Sequence, residues 1–127
     1  MTSHIETIKQ ALSRYGACVM SMLVGRSLYF YIGGIYDGMV NGVYECENPK
    51  LHQYKIELVY IYFKKSYTLY SSAMLLVGYN SNSTSDYWII RNSWGTNWGD
   101  NGHLYLKISD NLCQSTKTIY CPVVENF

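Results

Sequence analysis

The sequence predicts an α+β domain: an antiparallel, barrel-like β-sheet with one flanking helix at its N-terminal end. Three observations carry this expectation. Apolar residues recur at helical spacing near the start of the chain, and later segments alternate or form short apolar runs bounded by glycine and asparagine. No repeat, low-complexity tract or linker divides the 127 residues, so residues 1–127 read as a single domain.

The elements follow in order. Ile5, Ile8, Leu12 and Tyr15 share one helical face, Ser3 is placed as an N-cap with Glu6 three residues on, and Gly16 stands where a helix stops. A helix over residues 5–15 is expected. ACVMSMLVG then reads as a buried strand, with Cys18, Met20 and Met22 on one face and Val19 and Ser21 on the other. SLYFYIGGIYDG begins as a short helix or extended segment and ends in a turn at Gly33 and Gly34. A loop carrying Cys46 follows. Residues 73–79 and 87–91 read as two strands closed into a hairpin by NSNSTSD, where Asn82 is a glycosylation acceptor if the chain is secreted. Residues 103–109 alternate, with Leu104, Leu106 and Ile108 on one side, and a last strand is expected over residues 118–124.

Composition excludes several classes of function. The chain is 48% hydrophobic and 15% charged, with a formal net charge of +1 and scattered lysines and arginines, so no nucleic-acid footprint is present. Arg26 interrupts one apolar run and Lys64 and Lys65 end another, so neither reaches the roughly 18 residues of a membrane span. MTSHIETIKQ has neither a basic leader nor a following apolar stretch and is not read as a signal peptide. Cys18, Cys46, Cys113 and Cys121 lie far apart with few histidines near them. That argues against a metal site and leaves disulfides, which favour an oxidising compartment.

YWIIRNSWGTNWGDNGHLYLKI closely resembles the asparagine motif of papain-like cysteine peptidases, and MLLVGYN resembles the strand that follows the family's catalytic histidine. YGACVMSM and FYIGGIYDG resemble two further segments of the same domain. The resemblance runs over most of the chain and implies the second, C-terminal domain of the papain-like fold. The implied chemistry is peptide-bond hydrolysis by a cysteine thiolate, a histidine and an asparagine, without cofactor or metal. Peptides or proteins are the implied substrates, and a lysosomal or secreted location is implied as well. In such a site an imidazolium activates the thiolate, and an acceptor on the other ring nitrogen orients the imidazole. The resemblance gives that orienting role to Asn92. It puts Trp94 over the asparagine–histidine hydrogen bond, where excluding water strengthens it, and makes Trp98 a second apolar wall. It pairs Cys46 with Cys113, and it places Ser21 and Ala73 in the pocket for the substrate's second residue. Cys18 reads as a buried small hydrophobe, and Cys121 matches no family cysteine.

Two catalytic groups are wanting. No Cys-Gly-Ser-Cys-Trp setting of the nucleophile occurs in the sequence. The Cys-bearing domain, which in the family packs against this one, is therefore expected to be missing. The histidine position aligns with Ser72, and a serine cannot take a thiol proton at neutral pH. By itself the chain is expected to be inactive.

Three explanations for Ser72 stand side by side. One is a non-catalytic homologue serving as a binding or regulatory module. Another is replacement of the base by His52. The third, which we favour, treats residues 53–72 as an insertion translated from an intron: the segment is rich in tyrosine, lysine and isoleucine, which AT-rich codons encode. If Gln53 is CAG, removing DNA that begins GTAT and ends in the AG of the Ser72 codon leaves a histidine codon directly before Ala73. A genuine surface insertion is the alternative, and loops of that length cost little.

Overall fold

The computed structural model describes residues 2–40, 43–46, 70–81, 85–109 and 112–122. Helix α1 spans Thr2–Tyr15, so Ser3 lies within it rather than capping it. Its apolar face buries Ile8 and Leu12, and Ile5 packs beside them. The helix ends at Gly16, whose φ of 84° suits glycine and whose N–H donates to the Leu12 carbonyl at 2.9 Å.

Strand β1 (Cys18–Val24) alternates as the sequence predicts: Cys18, Met20, Met22 and Val24 are buried, and Val19, Ser21 and Leu23 are not. The short helix α2 (Arg26–Tyr29) follows, then β2 (Ile35–Tyr36) and the small pair β3 (Met39–Val40) and β4 (Val43–Tyr44). The long strand is β5 (Tyr70–Asn80), which hairpins onto β6 (Tyr87–Arg91), and β6 in turn pairs with β7 (His103–Lys107). A 3-10 turn at Leu112–Gln114 leads to β8 (Ile119–Tyr120). Strand β5 starts three residues before the expected boundary, because residues 70–72 continue its ladder against Val24, Leu23 and Met22 of β1. The last strand covers two of the seven residues expected, and residues 123–127 lie outside the described ones.

The six-stranded sheet has the order β2-β7-β6-β5-β1-β8. The α+β class and the flanking helix match the expectation, but the sheet is not closed into a barrel. Its edges, β2 and β8, are two residues each and too short to supply a closing ladder. It is also not wholly antiparallel. Strand β2 reaches β7 by a crossover rather than a hairpin, and it runs parallel to β7.

One face of the sheet and α1 enclose the core of Met20, Met22, Met74, Leu76, Trp88, Ile90, Leu104 and Leu106, where each large side chain contributes about 1.5–3 kcal/mol. Between β5 and β6 the register changes: Leu76 pairs with Ile90 but Gly78 pairs with Ile89, leaving Val77 as an extra residue in a bulge. The bulge keeps both Leu76 and Tyr79 on the core side, and Tyr79 meets the Trp88 ring edge-on at 6.3 Å. Lys9 of α1 lies over the other end of this arrangement, 5.3 Å from the Tyr79 ring centre, and donates to Ser81 Oγ at 3.0 Å.

Candidate active site

Strand β6 delivers Asn92 just past its last residue. Its backbone N–H donates to the Gly102 carbonyl at 2.9 Å, and its side chain is buried in step with Trp88 and Ile90. The Ser93 N–H donates to Asn92 Oδ1 at 2.8 Å. Asn92 Nδ2 is buried with no hydrogen-bond partner among the described residues. Such an orphan donor costs about 1–3 kcal/mol.

The tight turn 93–102 that follows holds the tryptophans. Gly95, Gly99 and Gly102 all take positive φ, and a Cβ on Gly99 would lie 2.6 Å from the His103 carbonyl oxygen and press on the Tyr31 ring. The turn is closed by Gly102 N–H to the Trp98 carbonyl at 2.8 Å and by Asp100 and His103, each N–H donating to the other's carbonyl. Trp98 Nε1 donates to the Leu28 carbonyl of α2 at 2.9 Å, and its ring sits 5.5 Å from Tyr31. Trp94 meets Trp98 edge-on at 5.0 Å, and Tyr29 lies flat on Trp94 at 4.8 Å. The aromatic series therefore ties the turn to α2.

That short helix is secured in turn from β4's end. Gly25 at its N-cap has no side chain to cap with, and the Glu45 carboxylate takes the Ser27 N–H at 3.2 Å instead. The Ser27 hydroxyl lies 2.6 Å from the Tyr36 hydroxyl. Burial raises the Tyr36 phenol above its usual range, and burial likewise raises Tyr31, whose hydroxyl accepts the Tyr105 N–H and donates to the Gly34 carbonyl. Tyr105 is pushed up to about 12, first by its hydroxyl's 2.6 Å hydrogen bond to Asp100 Oδ2.

Ser72 pairs with Met22 and is half-buried, on the face that carries Met74 and Leu76. One step beyond the last β5–β6 pair below the bulge, the register sets Asn92 opposite Met74, which makes Ser72 its diagonal neighbour at about 7–8 Å. Ser21 and Ala73 are direct cross-strand partners on the opposite face. Ala73 and Asn92 line one open cavity of about 500 Å³ together with Val19, Leu75, Arg91 and Ser93; Ser21 does not line it. His52, residues 53–69 and Asn82 lie outside the described residues.

All four cysteines are paired: Cys46 with Cys113, as the resemblance implies, and Cys18 with Cys121. The second pair corrects the reading of Cys18, which is fully buried but not a lone hydrophobe, and supplies the missing partner of Cys121. Sequence reasoning also missed Tyr29, Glu45 and Tyr31. Their roles depend on which turn folds back on which helix, and no local periodicity records that.

A family model described as papain family cysteine protease matches residues 40–123. The chain belongs to the papain family. Among curated relatives, cysteine proteinase 3 of Entamoeba histolytica is 41% identical over 70 residues, covering 54% of this chain and 23% of that protein. Vinckepain-1 of Plasmodium vinckei is 30% identical over 129 residues, covering 89% and 24%. A solved procathepsin B from Trypanosoma congolense shares the fold with a TM-score of 0.68 at 23% identity, covering 95% of this chain and 33% of that one. The chain thus spans about a quarter to a third of the length of these proteins.

Proposed function

We propose that the chain is the asparagine-bearing half of a papain-family thiol peptidase, corresponding to the family's second domain and inactive by itself. The observation that carries this reading is the pairing of an orphaned Asn92 amide with a serine at the diagonal position on the same face. An imidazole at position 72 would sit within reach of Asn92, and the serine hydroxyl is too short to replace it and too weak a base. Both members of each disulfide are committed to sulfur–sulfur bonds, so these residues offer no thiolate nucleophile. Trp94 and Trp98 would shield the hydrogen bond to Asn92 from water, and Ala73 with Ser21 would contribute the small side chains of a substrate pocket. In a complete enzyme, peptides or proteins are the substrates, a Cys-bearing domain is the partner, and two disulfides suit a lysosomal or secreted location.

We further propose that residues 53–72 derive from a translated intron and that splicing restores a histidine before Ala73. Sequencing the mature transcript checks this, and a message retaining the segment overturns it. The assay for the main reading is purified protein with a generic dipeptide substrate under reducing and non-reducing conditions. No turnover is expected in either; thiol-dependent hydrolysis by this chain alone would sink the proposal.

A further inference from the structure

The four rungs that hold β8 on β1 follow one register. Ser21 N–H donates to the Thr118 carbonyl at 3.4 Å, Met20 pairs with Ile119, Val19 pairs with Tyr120, and the next position is the Cys18–Cys121 disulfide. A covalent bond thus stands where the short ladder would otherwise end. Strand β8 is a two-residue edge with no further strand on its outer side among the described residues, and Tyr120 is 70% exposed. Two backbone pairs hold such a strand weakly. Of the four cysteines, Cys18, Cys46 and Cys113 are buried, and Cys121 is not. Exchange needs access for the attacking thiolate, and the half-buried Cys121 offers a reductant a way in, whereas both members of Cys46–Cys113 are buried.

We propose that Cys18–Cys121 is a reduction-sensitive latch on the C-terminal strand, opening before Cys46–Cys113 and releasing β8 from the edge of β1. A small dithiol supplies the electrons. Its thiolate attacks Cys121 Sγ, and Cys18 leaves as a thiolate that takes up a proton. The reductant's second thiol then displaces the Cys121 thiolate, which is protonated in turn, and the dithiol ends as its own cyclic disulfide. Opening frees the N–H and C=O groups of Val19 and Ser21 that faced β8, next to the cavity that Val19 lines. The latch is independent of any catalytic role for Asn92, since no atom of that site takes part.

The test uses the intact chain. It is incubated with graded dithiothreitol, alkylated with iodoacetamide, mapped by mass spectrometry, and followed in parallel by amide hydrogen exchange. Cys18 and Cys121 are expected to be alkylated at ~10-fold lower dithiol than Cys46 and Cys113. Under those conditions exchange at residues 19, 21, 118 and 120 should quicken ~10-fold or more, with residues 88–91 and 103–107 unchanged. Opening of Cys46–Cys113 first or together with the other pair would overturn the proposal. So would opening of Cys18–Cys121 with no change in exchange, or with faster exchange throughout the sheet.

Discussion

Asn92 has one hydrogen bond where its amide has room for more, and that deficit is measurable. Replacing Ser72 with histidine places an imidazole at the position diagonal to Asn92, whose Oδ1 can accept a ring N–H beside the one it takes from Ser93. The S72H chain is expected to gain about 1 kcal/mol, read as a higher urea midpoint with an unchanged slope. An imidazole that leaves stability unaltered, while N92A on that background costs nothing further, would show that the two side chains do not meet. Tyr105 offers a second residue-scale test through its titration. The Asp100 carboxylate holds the phenolic proton, raising Tyr105 to about 12 from 10.0. The folded state therefore binds that proton more tightly than the unfolded chain. The stabilisation is complete below pH 10 and is lost as pH rises from about 10 to about 12. In D100N the absorbance change at the tyrosinate band should move back toward the ordinary phenol range.

The turn after β6 and helix α2 act as a pair. Gly99→Ala puts a Cβ against the His103 carbonyl at a φ of 61°, so a loss of about 1–3 kcal/mol is expected in denaturant unfolding. Trp98→Phe keeps the ring packing but removes the donor to the Leu28 carbonyl, and about 1 kcal/mol should go with it. A cost well below that would mean the carbonyl is satisfied in another way. These elements also show what the sequence makes legible. β1 and β7 alternate cleanly, and the Asn-Ser-Trp-Gly run is contiguous, so the position of Asn92 beside its turn could be read directly. β8 could not be bounded, because a two-residue strand carries no periodicity. Cys18 and Cys121, 103 residues apart, become neighbours only through the register of that strand. Whether a barrel-like sheet closes is not legible for a related reason: edge strands meet or not through non-local pairing, which no window of sequence records.

At the scale of the whole molecule, two covalent bonds tie the C-terminal segment to the rest. Cys46–Cys113, with a sequence separation of 67, is worth about 4 kcal/mol if loop-closure entropy dominates. Full reduction should therefore lower the unfolding free energy by more than any single substitution above, as denaturant melts with and without strong reductant would show. The bulge at Val77 has a further consequence for the molecule. A strand's side chains alternate, so an even offset keeps two residues on one face and an odd offset separates them. Ser72 and Tyr79 are seven apart, and the added residue alone reconciles them. Val77 therefore acts as a parity switch between the end of β5 pinned under Lys9 and the end beside Asn92. Deleting it with the pinned end held would turn position 72 toward the outer face, where a histidine could not meet the asparagine.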